Sequence, residues 1–251
     1  MAKFRFTLIL AGLLAIVGCA SAPPKAQPEV ETVERVRADD ALTVFQELAL
    51  QDEYYIVYFR GEPAGTMERV RRVRGGQIEV ISTLITTNEE LSGQVITERF
   101  DAVAPHDATL LSIADVDGPP SVRIVREPDG YVGIANNNGI GTSEPIFDFR
   151  YRLADALAPE IWVRNGAEVG DCLSYPDYSF DTFRRQFMRE CIAGMARPTI
   201  DGKPVDAVRT QLNSSILIVR ARDTGMELRT RQSRELELRL EPRAIATQLQ
   251  H

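Results

Sequence analysis

Reactive side chains are scarce in this chain. Among 251 residues there are three cysteines, two histidines and one tryptophan. A zinc site needs three or four Cys, His or carboxylate ligands at defined spacing, and neither C-x-x-C nor H-x-x-x-H occurs. The alternate acids of "DVDGPP" (Asp115 to Pro120) begin like a calcium loop but lack its later ligands and closing glutamate, so they read as a turn. No metal and no cofactor is expected. A cysteine nucleophile needs an imidazole or similar base beside it, and the chain offers only His106, in the turn-like "APHDA", and His251. Enzymatic activity is therefore not expected, and a cysteine-dependent hydrolase ranks third among the functions considered. "GIANNNGIGTSEP" (Gly133 to Pro145) lacks the lysine of a phosphate-binding loop and reads as a tight exposed loop able to contact a partner. Positive charge is also short: 29 basic against 36 acidic side chains leave a formal charge of −7, which does not fit a nucleic-acid partner.

Long apolar runs are equally few, and the one present opens the chain. Lys3 and Arg5 precede "FTLILAGLLAIVG" (Phe6 to Gly18), followed at once by Cys19 and small residues. Positive start, apolar stretch and small residue form the grammar of a secretory signal, and the run is too short for a bilayer span of about 20 residues. Its end, "IVGC", resembles the lipobox of bacterial lipoproteins, in which the cysteine thiol receives a diacylglycerol and becomes the new N-terminus. That resemblance implies a signal peptide over residues 1–18, lipidation of Cys19, and a membrane partner reached through acyl chains of the palmitate kind. Several chains hold a protein where one holds it only marginally, at about 0.8 kcal/mol per buried methylene. Ala20 and Ser21 lack the aspartate of the retention signal, so the resemblance implies the periplasmic face of the outer membrane. Loss of Lys3 and Arg5 takes the formal charge from −7 to −9.

Residues 19–38, with Pro23, Pro24 and Pro28 and almost no large apolar side chain, read as a flexible tether. As a coil of ~20 residues it reaches on the order of 25 Å. Residues 39–251 are expected to form a single β-rich domain. It opens with a short helix over "DDALTVFQELALQDE", with Asp39 or Asp40 as N-cap and Leu42, Phe45, Leu48 and Ala49 at helical spacing. From Tyr54 the period becomes two. "YYIVYFRG", "GQIEVISTLITT", "GQVITERFD", three short strands within "DATLLSIADVDGPPSVRIVREPDGYVGI", two around Asp-Thr-Gly at 223–225, and "RELELRLEP" all alternate or sit between turn residues. In the last, Leu236, Leu238 and Leu240 share one face. Strands this regular imply a mainly β fold: a curved antiparallel sheet, half-barrel or sandwich-like, with one or two short helices. "FDTFRRQFMRECIAGM" (Phe180 to Met195) carries Phe180, Phe183, Phe187 and Cys191 on a helical stripe and is expected to lie on the sheet as a helix or irregular element, with a hairpin at Asp201-Gly202 after it. Arg69, Arg71, Arg72 and Arg74 are expected on the wet face of a strand.

"YYIVYFRGEPAGTMERV" resembles the opening strands of the β-rich region that precedes transglutaminase-like domains in bacterial envelope proteins, and short pieces from "ITERFDA" to "DTGMELRTR" extend the likeness over most of Tyr54 to Glu241. It implies a curved sheet, similar also to the half-barrels by which periplasmic carriers handle lipoproteins and lipids. The catalytic domain of those proteins, with its Cys, His, Asp order, has no counterpart here. Cys172 and Cys191 either form a disulfide, contributing ~3 kcal/mol by closing a ~20-residue loop, or are two buried thiols. The expected function is that of an outer-membrane lipoprotein whose non-catalytic β-domain binds a lipid or other hydrophobic ligand, or an envelope protein partner. The alternative is an envelope scaffold with a filled core. Tyr55, Val57, Phe59, Ile81, Ile85 and Trp162 are the expected lining of the ligand side, with Ile96, Phe100, Ile113 and Val125 beside them.

Overall fold

The structure, a computed structural model, describes residues 31–32, 38–137, 140–180 and 182–241. Cys19 and most of the expected tether lie outside the described residues. The chain begins with a two-residue strand β1 (Glu31–Thr32) and helix α1 (Ala38–Leu48). It then runs through a meander of β2 (Glu53–Phe59), β3 (Glu62–Arg74), β4 (Gln77–Thr86), β5 (Gln94–Asp101), β6 (Ala108–Asp115), β7 (Pro120–Glu127), β8 (Gly130–Asn137) and β9 (Ile140–Ile146). Two short helices follow, α2 (Leu153–Ala156) and α3 (Ala158–Arg164), then β10 (Cys172–Ser179) and β11 (Arg184–Ala196). The small hairpin β12 (Thr199–Ile200) and β13 (Lys203–Pro204) leads to β14 (Ala207–Leu212), β15 (Ile216–Ala221), β16 (Glu227–Arg231) and β17 (Leu236–Leu240).

All strands except β12 and β13 join one open sheet in the order β1-β10-β11-β14-β15-β16-β17-β2-β3-β4-β5-β6-β7-β8-β9. The two meanders meet at its middle, where β17 pairs antiparallel with β2. Because β9 and β10 stand towards opposite ends of that order, the chain between them must cross the sheet. The crossing carries α2 and α3 over the inner face, and Phe149, Tyr151, Leu153, Leu157 and Ile161 are buried there against α1 and against residues of β4, β5, β6, β7 and β10. Side chains from both arms meet in one core, which requires the sheet to curl around the crossing. The expected mainly β, curved antiparallel architecture is what forms.

Several elements differ from the sequence reading. Helix α1 starts at Ala38, so Asp39 and Asp40 occupy its first turn rather than the N-cap, where they still complement the helix dipole. Its buried stripe is Ala41, Val44, Phe45 and Leu48, the i, i+3, i+4, i+7 set of a helix lying on a core. Two residues of the expected tether, Glu31 and Thr32, pair parallel with β10 at the sheet edge. The Gly133–Pro145 segment, expected as a loop, is mostly the β8–β9 hairpin, because its small residues alternate well enough to pair. The segment expected as a helix or irregular element is mostly the long strand β11, paired along its length with β10 and β14. Along it Met188, Glu190 and Ile192 are buried while Phe187 stands 63% exposed, so a period of two overrides the phenylalanine spacing. Phe183, just before the strand, adopts a left-handed φ of 50°. Its ring lies so close to Gly133 that a Cβ there would come 2.5 Å from it, which explains the bare residue in β8. The hairpin at Asp201-Gly202 forms as expected, with φ of 50° and 70° at its two central residues.

Candidate functional site

Alternation in β3 turns Met67, Arg69 and Arg71 inward, so two of the four arginines expected on the wet face are buried instead. Arg72 and Arg74 do face out, and Arg72 pairs at 2.7 Å with Glu79, which also takes Arg99 at 2.8 Å across the outer face. A buried guanidinium requires charge partners, since desolvation alone costs several kcal/mol per ion. They come from strands far apart in sequence. Glu53 of β2 ion-pairs with both Arg71 and Arg69, at 3.1 Å for the latter. Glu227 of β16 lies 3.8 Å from Arg69. A second group forms on β11 and β15, where Arg220 donates to Glu190 at 2.8 and 3.3 Å and lies 3.5 Å from Glu160 of α3. Thr210 donates to Glu190 and Thr230 to Glu227. Tyr55 donates to Glu53 at 3.0 Å and to the Glu227 carbonyl at 2.9 Å, and burial pushes its hydroxyl well above the ordinary tyrosine range.

Between these groups lies a cavity of about 110 Å3. Its wall takes Met67 and Arg69 from β3, Ile96 and Glu98 from β5, Asp155 from α2, Glu160 from α3, and Tyr175 and Asp177 from β10. Arg220 and Glu227 close the side formed by β15 and β16, and Tyr151 of the crossing completes the wall. Leu111, Leu212, Ile216, Ile218 and Leu238 line it too, so opposite arms of the sheet share one interior that is mostly apolar with charged groups set into it. Burial raises Glu98 despite the pull of Arg69 and Arg71 and a 3.4 Å hydrogen bond from Tyr151. Burial likewise pushes Asp177 up to about 7, against the Tyr178 amide and the Gln186 side chain, with Glu98 adding to the rise. Asp155 goes up to about 6, against the Arg152 amide and the charges of Arg185 and Arg152, with Asp107 on the raising side.

An unfolded aspartate ionises near 4, so between about pH 4 and 7 the folded protein binds more protons than the unfolded chain. Stability should therefore fall as pH rises through that window, by at least ~1 kcal/mol between pH 5 and pH 8. Urea unfolding at the two pH values checks this, and equal midpoints would show these carboxyls to be ordinary.

None of the six residues expected to line the ligand side borders this cavity. Tyr55 and Val57 are buried in the sheet core, with Phe59 half-buried against the same cluster. Trp162 sits on α3, packed over β10, β11, β14 and β15 rather than on a strand. Ile81 and Ile85 point to the opposite face from the buried Ile78, Val80, Ser82 and Leu84; Ile85, 43% exposed, borders a shallow depression with Gly93 and Val116. Ile96, Phe100 and Ile113 are buried, while Val125 is left half-buried by the inward turn of Ile124. The charged wall escaped the sequence reading altogether. A signal for the crossing was present in Leu153, Leu157 and Ile161 at four-residue steps, with Pro159 in the first turn of α3.

Cys172 and Cys191 stand directly opposite each other on β10 and β11 and are bonded, with Cα atoms 4.0 Å apart. Replacing both by alanine should cost about 3 kcal/mol in urea unfolding, the loop-closure value for a separation of 19 residues. His106 is buried in its turn with Nδ1 2.9 Å from the Asp101 carbonyl. Among the described residues no group of three or more His, Cys, Asp or Glu side chains could hold a metal ion, and no helix is long and apolar enough to cross a membrane. No protein-family model matches this chain, and no curated protein matches it either.

Proposed function

We propose that this chain is an exported lipoprotein, anchored through Cys19 at the periplasmic face of the outer membrane, whose β-domain acts by binding rather than by catalysis. The observation that carries the binding part is the cavity on the inner face of the sheet, lined mostly by apolar side chains with carboxyls and arginines set among them, and walled by both arms and by the crossing helices. Pockets for drug-sized ligands run to about 300–1,000 Å3, so 110 Å3 suits a small group and leaves no room for an acyl chain. Bonding of Cys172 to Cys191 removes the thiolate that the hydrolase reading needs. The anchor is supported by the register of charge, apolar run, small residue and cysteine at the start of the chain.

Mass spectrometry of the protein from its native cells should find a terminus at Cys19 bearing acyl chains, and Cys19→Ala should abolish that mass and the sedimentation with outer membranes. An unprocessed start, or a processed one without acyl mass, would overturn the anchor. A second reading, a scaffold acting through its outer face, is favoured by Phe187 and Leu217, exposed at 63% and 37% on β11 and β15. Loss of an envelope contact on Phe187→Ser, with cavity variants silent, would select it.

A further inference from the structure

We propose that the outer face of the sheet from β11 to β17 is a membrane-docking surface that lies against anionic phospholipid headgroups. The inference rests on reading Cys19 as the anchor and adds how the domain sits on the leaflet that holds it.

Ladder register sets the charge of this face. Because Ile192, Thr210, Ile218, Thr230 and Leu238 are buried in register across β11, β14, β15, β16 and β17, the positions beside them point outward together. One outward row holds Arg209, Val219, Arg229 and Arg239, and the next holds Gln211, Leu217, Arg231 and Glu237. Arg185 and Arg189 extend the face along β11. Six arginines therefore stand against one glutamate, in a chain whose formal charge is −7.

Pairing within the protein does not account for them. Glu237 holds Arg229 at 2.7 Å and also takes Arg239, whereas the exposed Arg185, Arg189, Arg209 and Arg231 form no salt bridge among the described residues. Arg229 and Arg239 also stand directly opposite each other on β16 and β17, where like charges are ordinarily destabilising. On the other arm the outward Arg72 and Arg99 share Glu79 instead. An anionic partner supplies what this face lacks.

Spread decides the kind of partner. Five strands at a spacing of about 4.8 Å carry the arginines over roughly 19 Å, too wide to converge on a single phosphate or carboxylate. Apolar side chains are set among them: Phe187 and Leu217 are 63% and 37% exposed, and the Arg185 guanidinium lies 4.8 Å from the Phe187 ring centre. Guanidinium groups that meet phosphates, with apolar side chains entering between them, match the headgroup region of an anionic bilayer.

The position of the anchor is a separate ground. β1 joins the sheet beside β10, which neighbours β11, so the chain towards Cys19 departs from the edge where this face begins. Residues 20–30, which separate Cys19 from Glu31, can reach no more than about 40 Å. From β1 to β17 the sheet spans only about 29 Å. An acylated Cys19 thus keeps the whole face within reach of its own leaflet.

The test is vesicle co-sedimentation of residues 19–251 carrying Cys19→Ala, which keeps every described residue and removes acylation. Phosphatidylcholine vesicles containing about one-third phosphatidylglycerol are compared with pure phosphatidylcholine. At low salt the mixed vesicles should bind at least about tenfold more tightly, and high salt should erase most of the difference. Arg209→Gln with Arg231→Gln should weaken that binding at least tenfold, since each arginine near such a surface contributes about fivefold. Arg72→Gln with Arg99→Gln changes the net charge equally on the other arm and should leave binding nearly unchanged. All four side chains reach solvent, and thermal unfolding checks that the fold is kept. Equal binding to both vesicle types, or an equal loss in the two double variants, would overturn the proposal. So would a dextran sulfate complex as tight as the mixed vesicles and as sensitive to Arg209 and Arg231, which would assign a soluble polyanion instead. An unacylated Cys19 in native cells together with arginine-dependent vesicle binding would overturn the anchor alone. An acylated Cys19 with no preference for the mixed vesicles would overturn this surface alone.

Discussion

Arg220→Ala should destabilise the protein by about 3 to 5 kcal/mol, among the largest single-residue losses the fold can show. Its guanidinium is 4% exposed and bridges Glu190 on β11 to Glu160 on α3. Burial works against that charge, yet the two glutamates outweigh it and hold the arginine firmly protonated. Removing it strands Glu190, which has no exposure at all, with only Thr210 as donor. The cost comes mostly from the orphaned carboxylates rather than from the lost pair, and this has a checkable corollary. Arg220→Met combined with Glu190→Leu should recover most of the stability, because exchanging a whole buried pair for apolar side chains is often near neutral. Urea unfolding of the three proteins measures both effects. A loss below about 1 kcal/mol for Arg220→Ala would mean that water reaches the site freely.

Gly225→Ala should cost a similar 3 to 5 kcal/mol, for a steric reason. The residue sits in the turn between β15 and β16 with φ of 71°, where any L side chain is strained. A Cβ there would stand 2.1 Å from the Glu160 carbonyl oxygen and 2.5 Å from its Cα, so backbone of α3 would have to move. That displacement reaches the cavity, because Glu160 is part of its wall. Gly202→Ala makes the control: its φ of 70° is equally positive but nothing lies within 4 Å of the added atom. If both substitutions cost the same in thermal unfolding, the contact with α3 contributes nothing.

These two positions mark the limit of what could be read along the chain. "DTG" announces a turn by composition, but nothing in it says that a helix from the crossing will rest on the glycine. "MERVRRV" has a period of two, yet its inward set is the one carrying Arg69 and Arg71, contrary to the usual placement of charge on the wet side. That choice becomes tolerable only through Glu53 and Glu227, the latter supplied by the other meander. In β4 both parities are apolar, Ile78 and Val80 on one and Ile81 and Ile85 on the other, so alternation could not say which faced the core. The aromatic stripe of Phe180, Phe183 and Phe187 matched a helix by coincidence. β11 instead follows its partners, with ladder pairing to β10 on one side and β14 on the other.

Turn residues and the two-residue period by themselves determined that the chain forms an antiparallel β fold, where most of its strands begin and end, and that Leu236, Leu238 and Leu240 face inward. Those are local properties, settled within a few residues by backbone sterics and burial of one face. The tertiary structure alone decided which face of β4 lies inside, that the 147–171 segment crosses the sheet, and that five buried or half-buried carboxyls gather with two arginines around one space, with Glu53, Glu190 and Arg71 paired behind them. Each of those depends on charges and side-chain volumes brought together from positions more than a hundred residues apart, and no local pattern encodes their sum.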